Sequence, residues 1–295
     1  MEIRELFGRP TLNPLPAIVE DLDLPKVSLN GRWKLNLNPG EGFWKADCDG
    51  SLSDVDVPCQ IEADKEEYAY ARMLFIPEEW KGKRIFLRFD GVNCLARVFV
   101  DGVFVRSHYG GFVSWECEIT DLVKAGGGHR LTVGVTDKPG EVSSFHKGGM
   151  IRDVLLYALP HTYLSRLHAK TVFTNGYTDA ELTVETQVTG GCGEIELSLT
   201  SPDGRTLTLG TVSARDGCDL KSCFVIEKPK KWDSEHPYLY TLTAVLTQEG
   251  RKTERADRKI GFRQIEIKGN RVFLNGDRSE EHTSELQSHT QISYA

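Results

Sequence analysis

Apolar and polar residues alternate with a period of two along most of this chain, and that pattern predicts β-strands. The first half contains a two-residue Asp101-Gly102 step between two such runs, which favours a type I′ hairpin. Long amphipathic helical patterns are missing from the sequence. We therefore expect an all-β block over residues 28–160, with strands at 84–90, 97–100, 103–105, 115–120, 130–136 and 154–157.

A second block, residues 161–263, repeats the pattern with turn signals such as Asn175-Gly176 and Glu249-Gly250 between short runs. Strands at this spacing are typical of a β-sandwich of immunoglobulin size. The expected strands are 167–173, 180–188, 194–200, 222–226, 239–246 and 258–262. A hairpin that turns at Gly269-Asn270 occupies 264–277, and we expect it to be weakly anchored because a lone hairpin is marginally stable.

The two ends of the chain differ from these blocks. Residues 1–27 are an extended, proline-containing leader. Residues 278–295 can be written in codons that resemble the constant arms of a sequencing-library adapter, separated by room for a barcode. We expect this stretch to be adapter read-through, disordered, with the natural gene continuing past Asp277; a natural polar tail is the alternative.

Composition narrows the class of protein. The chain is 39% hydrophobic and 27% charged, as in ordinary globular proteins, and its net charge is −7. It has no dense basic stripe and no apolar run of membrane-spanning length, so we expect neither a nucleic acid nor a membrane partner. The N-terminus lacks the apolar region of a signal peptide, and the seven cysteines show no paired metal-binding spacing. We therefore expect reduced thiols and a cytoplasmic protein.

Motifs for nucleophilic, phosphate-binding, dinucleotide-binding or zinc chemistry are not found, and we predict no metal site and no cofactor. Aromatic residues are more informative, but two interpretations stay open. They either stack on sugar rings or fill the sandwich cores. The tryptophans concerned are Trp33, Trp44, Trp80, Trp115 and Trp232.

Three stretches together resemble glycoside hydrolase family 2, the β-galactosidase and β-glucuronidase family. The first is Phe-Ile-Pro-Glu-Glu-Trp at 75–80, followed by Asp-Gly-Val-Asn at 90–93 and Val-Asp-Gly at 100–102. The second is Gly-Gly-Met-Ile-Arg-Asp-Val at 148–154. The third combines Trp-Asp-Ser-Glu-His-Pro-Tyr-Leu-Tyr at 232–240 with Ile-Gly-Phe-Arg at 260–263 and Asn-Gly at 275–276. The resemblance covers residues 28–277.

The resemblance implies a jelly-roll-like sugar-binding β-sandwich, then an immunoglobulin-like β-sandwich, truncated at the start of a (β/α)8 barrel. In the family, two barrel glutamates act as acid/base and nucleophile in a retaining mechanism. Neither is expected in this chain, so the chain has no catalytic residue of its own. The complete enzyme is expected to take a carbohydrate substrate and to form a homo-oligomer; whether it holds a cation stays open.

One family feature departs from its pattern in this sequence. The family's substrate-contacting aspartate lies six residues before the second glycine of the second motif, and counting back from Gly149 reaches Ser143. The substrate contact could instead be made by Glu141, His146 or Lys147. A two-residue shift in the alignment is an equally good explanation. We expect the glycine-flanked segment 141–147 to face the active site of the complete enzyme, since binding groups concentrate on loops. An ordinary solvated loop is the alternative.

These observations favour the non-catalytic N-terminal part of a retaining β-glycosidase. The alternative is a stand-alone carbohydrate-binding β-sandwich protein without enzymatic activity. A structural protein made of immunoglobulin-like repeats is a third interpretation, and the lack of similarity between the two blocks counts against it.

Overall fold

The computed structural model describes residues 18–20, 26–45, 52–61, 67–136 and 148–278. Strands make up most of this part of the chain, and the helices within it are two single 3₁₀ turns, Glu78–Trp80 and Thr120–Leu122. The described residues form two compact units, the first made of residues 26–161 and the second of residues 18–20 and 162–278. The all-β class expected from the alternation is confirmed. Among the described helices, none has the length and apolar character needed to cross a bilayer.

The first unit contains twelve described strands. They are β2 (Lys26–Ser28), β3 (Gly31–Asn36), β4 (Ser53–Val57), β5 (Glu67–Phe75), β6 (Arg84–Phe89), β7 (Val92–Asn93), β8 (Leu95–Val100), β9 (Val103–Tyr109), β10 (Trp115–Glu118), β11 (Gly128–Thr136), β12 (Gly149–Met150) and β13 (Val154–Leu159).

Two antiparallel sheets of this unit share one core. The larger sheet has the order β4-β3-β5-β11-β8-β9, the smaller β10-β6-β13-β2, and β7 pairs separately with β12. Alternate residues of both sheets meet in a fully buried cluster that includes Trp33, Leu131, Leu87 and Leu156. The unit is therefore a β-sandwich, held by burial of these alternate side chains.

The predicted hairpin at Asp101-Gly102 is confirmed, with φ values of 49° and 81° that suit a type I′ turn. In contrast, the sequence pattern missed β5, a long central strand. Residues 68–71 of β5 are all buried, because the strand lies inside the six-stranded sheet and is covered on both faces. A strand buried on both faces loses the alternation from which the other strands were predicted.

The second unit contains eleven described strands. They are β1 (Ile18–Glu20), β14 (Tyr163–Thr174), β15 (Asp179–Thr189), β16 (Gly193–Thr200), β17 (Thr206–Ala214), β18 (Leu220–Ile226), β19 (Tyr240–Gln248), β20 (Arg251–Ile260), β21 (Ile265–Lys268), β22 (Arg271–Leu274) and β23 (Asp277–Arg278).

This unit is a second sandwich, made of a β1-β20-β19-β16-β17 sheet and a β14-β15-β18 sheet. Its core includes Leu182, Leu197, Leu242 and Phe262. The predicted strand 258–262 was wrong in its bounds, since β20 begins seven residues earlier at Arg251. The edge strand β17 was missed because it is largely exposed and rich in threonine.

The terminal hairpin β21-β22 is better anchored than expected. The Asn275 side chain is buried; its Nδ2 donates to Trp232 O at 3.0 Å, and its Oδ1 accepts from Gln264 N at 3.0 Å. The Tyr177 hydroxyl also donates to the Glu266 carboxylate. Ile267 nevertheless stays 76% exposed. The expectation of weak anchoring is therefore wrong at the base of the hairpin, where side-chain hydrogen bonds replace a covering sheet.

A buried carboxyl makes the second unit sensitive to pH. Glu254, on β20, is only 3% exposed, and its Oε2 accepts one hydrogen bond, from Leu164 N at 2.7 Å. Burial raises the pKa of Glu254 from 4.5 to about 7, and the Leu164 hydrogen bond lowers it only in part.

We predict that Glu254→Gln removes part of the pH dependence of stability. Between pH 4.5 and 7 the folded state keeps a proton that the unfolded chain releases, so the free energy of unfolding falls as pH rises and levels off above about 7. The Glu254 contribution is on the order of 2–3 kcal/mol. Urea unfolding at pH 5 and pH 8 measures it, with Glu196→Gln, an exposed strand residue, as the control. Equal pH dependence in wild type and Glu254→Gln would contradict the assignment.

We also predict that Asn275→Ala destabilises the second unit by about 1–3 kcal/mol. Two partly buried backbone groups lose their hydrogen-bond partners, and alanine is less favourable than asparagine at the φ of 54° found there. Asn270→Ala, in the exposed turn of the same hairpin, should change stability by about 0.5 kcal/mol or less. Urea unfolding of the two variants side by side checks this. Similar losses in both would show that the Asn275 hydrogen bonds do not hold the hairpin.

Candidate functional site

The predicted substrate-contacting residues, Glu141, Ser143, His146 and Lys147, lie outside the described residues. The described chain ends at Thr136 and resumes at Gly148, so the strands on both sides of the segment 137–147 are described. The structure thus gives the two points from which this segment starts and returns.

Asn93 and Cys94 contact the strands at both points, alongside other strands. Thr136 also pairs with Glu67 and Leu95, and Gly148 O accepts from Ile61 N at 2.9 Å. The Cys94 amide and thiol both direct hydrogen bonds to Thr136 O, at 3.4 and 3.2 Å. Asn93 pairs with Gly149 in the short β7–β12 ladder. Thr136 and Gly149, which flank residues 137–147, therefore both lie against Asn93–Cys94.

Three stretches surround this junction, residues 90–94, 108–113 and 148–154, and we call them the loop frame. Their backbones are linked by hydrogen bonds from Gly110 N to Cys94 O at 2.8 Å, from Ile151 N to Gly91 O at 3.0 Å, and from Asp90 N to Asp153 O at 2.9 Å. The second motif of the sequence analysis is thus a structural element that ties the junction to the sandwich.

Glycine is required at position 149. A Cβ there would lie 2.7 Å from Cys59 O and 3.1 Å from the Tyr70 hydroxyl, and the backbone has φ +122°. Glycine alone adopts such a conformation without strain and leaves room for the close backbone approach. The same holds sterically for Gly111, whose Cβ would clash with the Asn93 side chain, 2.8 Å from its Cγ atom.

The acidic residue of the motif has a structural role. Asp153 Oδ1 accepts from Asn30 Nδ2 at 2.9 Å, and Asn30 Oδ1 accepts from Val154 N at 3.0 Å. Arg72 in turn donates to Asn30 O at 3.0 Å. This network joins the start of β13 to the loop before β3.

The titratable groups buried beside the loop frame are neutral at pH 7. Burial, and after it the positive charge of Arg106, lowers the pKa of His108 to about 4. His108 is 2% exposed, and its ring stacks on Trp115 with ring centroids 4.8 Å apart. Burial, followed by the neighbouring Cys59, raises the pKa of Tyr70 far above its usual range. Burial also raises the pKa of the Cys59 thiol, which lies 3.6 Å from the Tyr70 hydroxyl. These groups are therefore uncharged parts of the frame.

The loop frame also presents aromatic residues to solvent. Phe112 is 68% exposed at the tip of the 108–113 stretch, and Tyr109 is exposed beside it. The Arg152 guanidinium lies within 3.4 Å of Phe112 O. Within the described ranges, His, Cys, Asp and Glu side chains form no group of three suited to a metal ion.

The tryptophans differ in whether they fill a sandwich core or remain open to contact with sugar rings. Trp33, Trp80 and Trp115 are buried in the core of the first unit, so the core interpretation holds for them. Trp44 and Trp232 are partly exposed, and Trp232 lies 4.7 Å below the Arg263 guanidinium. The sequence reasoning assigned no role to Asn93 or His108. The Gly-Gly pair two residues after His108 was the available signal of a close backbone approach.

Family models match the two units in succession. The model described as "Glycosyl hydrolases family 2, sugar binding domain" matches residues 50–160, and "Glycosyl hydrolases family 2" matches residues 162–263. A β-glucuronidase of Bacteroides fragilis is 33% identical over 233 residues, covering 70% of this chain and 33% of the relative. A β-galactosidase of Clostridium acetobutylicum is 26% identical over 303 residues, covering 88% of this chain and 33% of the relative.

The solved structures give the same architecture. A β-glucuronidase of Ruminococcus gnavus in complex with D-glucuronic acid superposes with a TM-score of 0.74 at 21% identity, covering 88% of this chain and 49% of that chain. This chain spans about a third of the length of the curated relatives that it matches. With both family domains matched in order over most of its length, the chain belongs to glycosyl hydrolases family 2.

Proposed function

We propose that this chain is the non-catalytic N-terminal part of a retaining β-glycosidase that hydrolyses O-glycosyl bonds. Two family models matched in succession, and relatives named β-glucuronidase and β-galactosidase, support the proposal. Retaining hydrolysis needs two carboxyl groups about 5 Å apart across the scissile bond. We assign that pair to a part of the complete enzyme that this chain does not contain.

The observation that carries the proposal is the loop frame. Its two acidic residues are both engaged: Asp90 pairs with Arg88 at 2.7 Å, and Asp153 accepts from Asn30. The frame joins the two ends of the segment 137–147 at Asn93–Cys94 by backbone hydrogen bonds. In the proposed enzyme, this chain holds a polar segment against the substrate, and other residues do the chemistry.

We further propose that the substrate is a β-glycoside of an anionic sugar, such as a uronic acid. Lys147 supplies a cation in the segment 137–147, and an ammonium–carboxylate hydrogen bond is worth about 1.5–3 kcal/mol. A neutral galactoside offers no such partner. The relatives include both β-glucuronidases and β-galactosidases, so the two substrates must be compared directly.

We also propose a cytoplasmic location. The six cysteines within the described residues are all free, which fits a reducing compartment. They are Cys59, Cys94, Cys117, Cys192, Cys218 and Cys223.

We predict that the purified chain hydrolyses none of a panel of nitrophenyl β-glycosides, because its loop frame lacks a converged pair of free carboxylates. Release of nitrophenol, measured against a heat-denatured sample, checks this. The chain should be produced in cells without β-galactosidase and β-glucuronidase. Turnover above the control would refute the assignment of the catalytic pair to another part of the enzyme.

In the complete enzyme, we predict that Lys147→Ala lowers kcat/KM for a β-glucuronide by about 10- to 100-fold, the loss of one charge-assisted hydrogen bond. The loss for a β-galactoside should be smaller. His146→Ala tests the neighbouring donor, and Lys81→Ala, an exposed lysine in another turn, is the control. If Lys147→Ala and His146→Ala match wild type on both substrates, the segment is not a substrate loop.

A further inference from the structure

Four aromatic rings cluster on the outer face of the six-stranded sheet, and we call Phe43, Trp44, Phe99 and Phe104 the aromatic face. Phe99 of β8 and Phe104 of β9 are opposite each other in the ladder. Trp44 stacks on Phe99, with ring centroids 4.9 Å apart and planes 6° apart. Phe43 and Phe104 meet Phe99 edge-on, at 5.9 and 5.6 Å.

This cluster lies on the opposite side of the sheet from the sandwich core. Val98 and Val100, which alternate with Phe99 along β8, are fully buried members of the core cluster. Side chains alternate across a strand, so Phe99 points away from that core. Phe104 is 54% exposed, and the neighbouring Val103 is exposed as well. The rings thus form a surface layer with a solvent-facing edge.

The turn that carries Phe43 and Trp44 is fixed over the sheet. Lys45 N donates to Gly42 O at 2.8 Å, and the Arg130 guanidinium donates to Trp44 O at 2.6 Å. The Phe43 ring fills the space above Gly134, where a Cβ would lie 2.5 Å from its Cζ atom. The position of Trp44 is therefore set by the fold before any ligand binds.

Hydrogen-bonding side chains border the rings on both sides. The Arg97 guanidinium lies 5.7 Å from the Phe43 ring centroid and pairs with Glu67, and both side chains are partly exposed. On the other side, Asp101 is partly exposed and its Oδ2 lies 2.6 Å from His129 Nδ1. Partly exposed charged side chains therefore lie next to the aromatic surface.

This combination fits a sugar. A pyranose ring has an apolar face of C–H groups and a rim of hydroxyl groups. Aromatic side chains can pack against the apolar face, and charged side chains can form hydrogen bonds with the hydroxyl groups. A stable protein partner would need about 800 Å² of matched surface on each side, far more than a few exposed rings supply. The family model matched to residues 50–160 is described as a sugar-binding domain, which agrees with this ligand class.

We propose that the aromatic face binds a carbohydrate chain, with Trp44 and Phe104 against the faces of pyranose rings and with Arg97, Glu67 and Asp101 on their hydroxyls. This binding needs no catalytic residue. It is therefore independent of the proposed glycosidase activity and goes beyond it.

Affinity electrophoresis tests the proposal on the chain as it is, in native gels that contain hydroxyethylcellulose, xylan or galactan. Wild type is expected to be retarded in at least one of the three gels, and the polysaccharide that retards it identifies the sugar. Trp44→Ala and Phe104→Ala are each expected to weaken that affinity by about two- to tenfold, since each removes an aromatic contact. Quenching of tryptophan fluorescence by the same polysaccharide gives a second measure in the wild type.

Phe75→Ala is the matched control, because Phe75 is an exposed aromatic residue of the same unit that lies outside both the loop frame and the aromatic face. It is expected to migrate like wild type. Circular dichroism establishes which variants are folded, and Phe104→Ala, at an exposed position, carries the test if Trp44→Ala does not fold. Three outcomes would overturn the proposal: no retardation in any gel, folded variants retarded as strongly as wild type, or an equal loss in Phe75→Ala. None of them depends on glycoside turnover, so failure here is separate from failure of the proposed function.

Discussion

The junction at Asn93–Cys94 is the constraint on which the proposed role of this chain depends. Cys94 bonds to Thr136 and Asn93 pairs with Gly149, so one dipeptide links the two strands that flank residues 137–147. Backbone hydrogen bonds are a suitable means, because they set position without depending on side-chain rotamers. The glycine at 149 is what allows the returning strand to come this close to Cys59.

In this arrangement the residues around the junction have structural roles, and the catalytic chemistry is assigned to other residues. The groups buried around the junction, His108, Tyr70 and Cys59, have pKa values shifted so that they stay neutral. The carboxylates of the loop frame are used in structural pairs. A rigid neutral support with a polar segment on it suits the positioning of a substrate, since small displacements of positioned groups cost large factors in rate.

Much of this fold could be predicted from alternation and turn residues, and the exceptions have physical causes. The Asp101-Gly102 hairpin was predictable because positive φ at both positions favours those residues. Strand β5 could not be predicted from alternation, because it is buried on both faces. The charged start of β20 could not be predicted either, because Glu254 is buried with a backbone hydrogen-bond partner that no local sequence pattern reveals. The motif at 148–154 was recognised, but its hydrogen bonds to Asn30 and Gly91 join residues distant in sequence.

The most direct test of the central claim is a comparison of two glycine variants in the complete enzyme. Gly149→Ala and Gly31→Ala both place alanine at a positive φ, +122° and +93°, but only at Gly149 does the new Cβ meet another atom, Cys59 O at 2.7 Å. We predict that Gly149→Ala lowers kcat/KM for the best β-glycoside by roughly 100-fold while the protein stays folded, and that Gly31→Ala changes it by less than about threefold. Equal activity of the folded Gly149→Ala variant and wild type would show that the loop frame does not position the substrate.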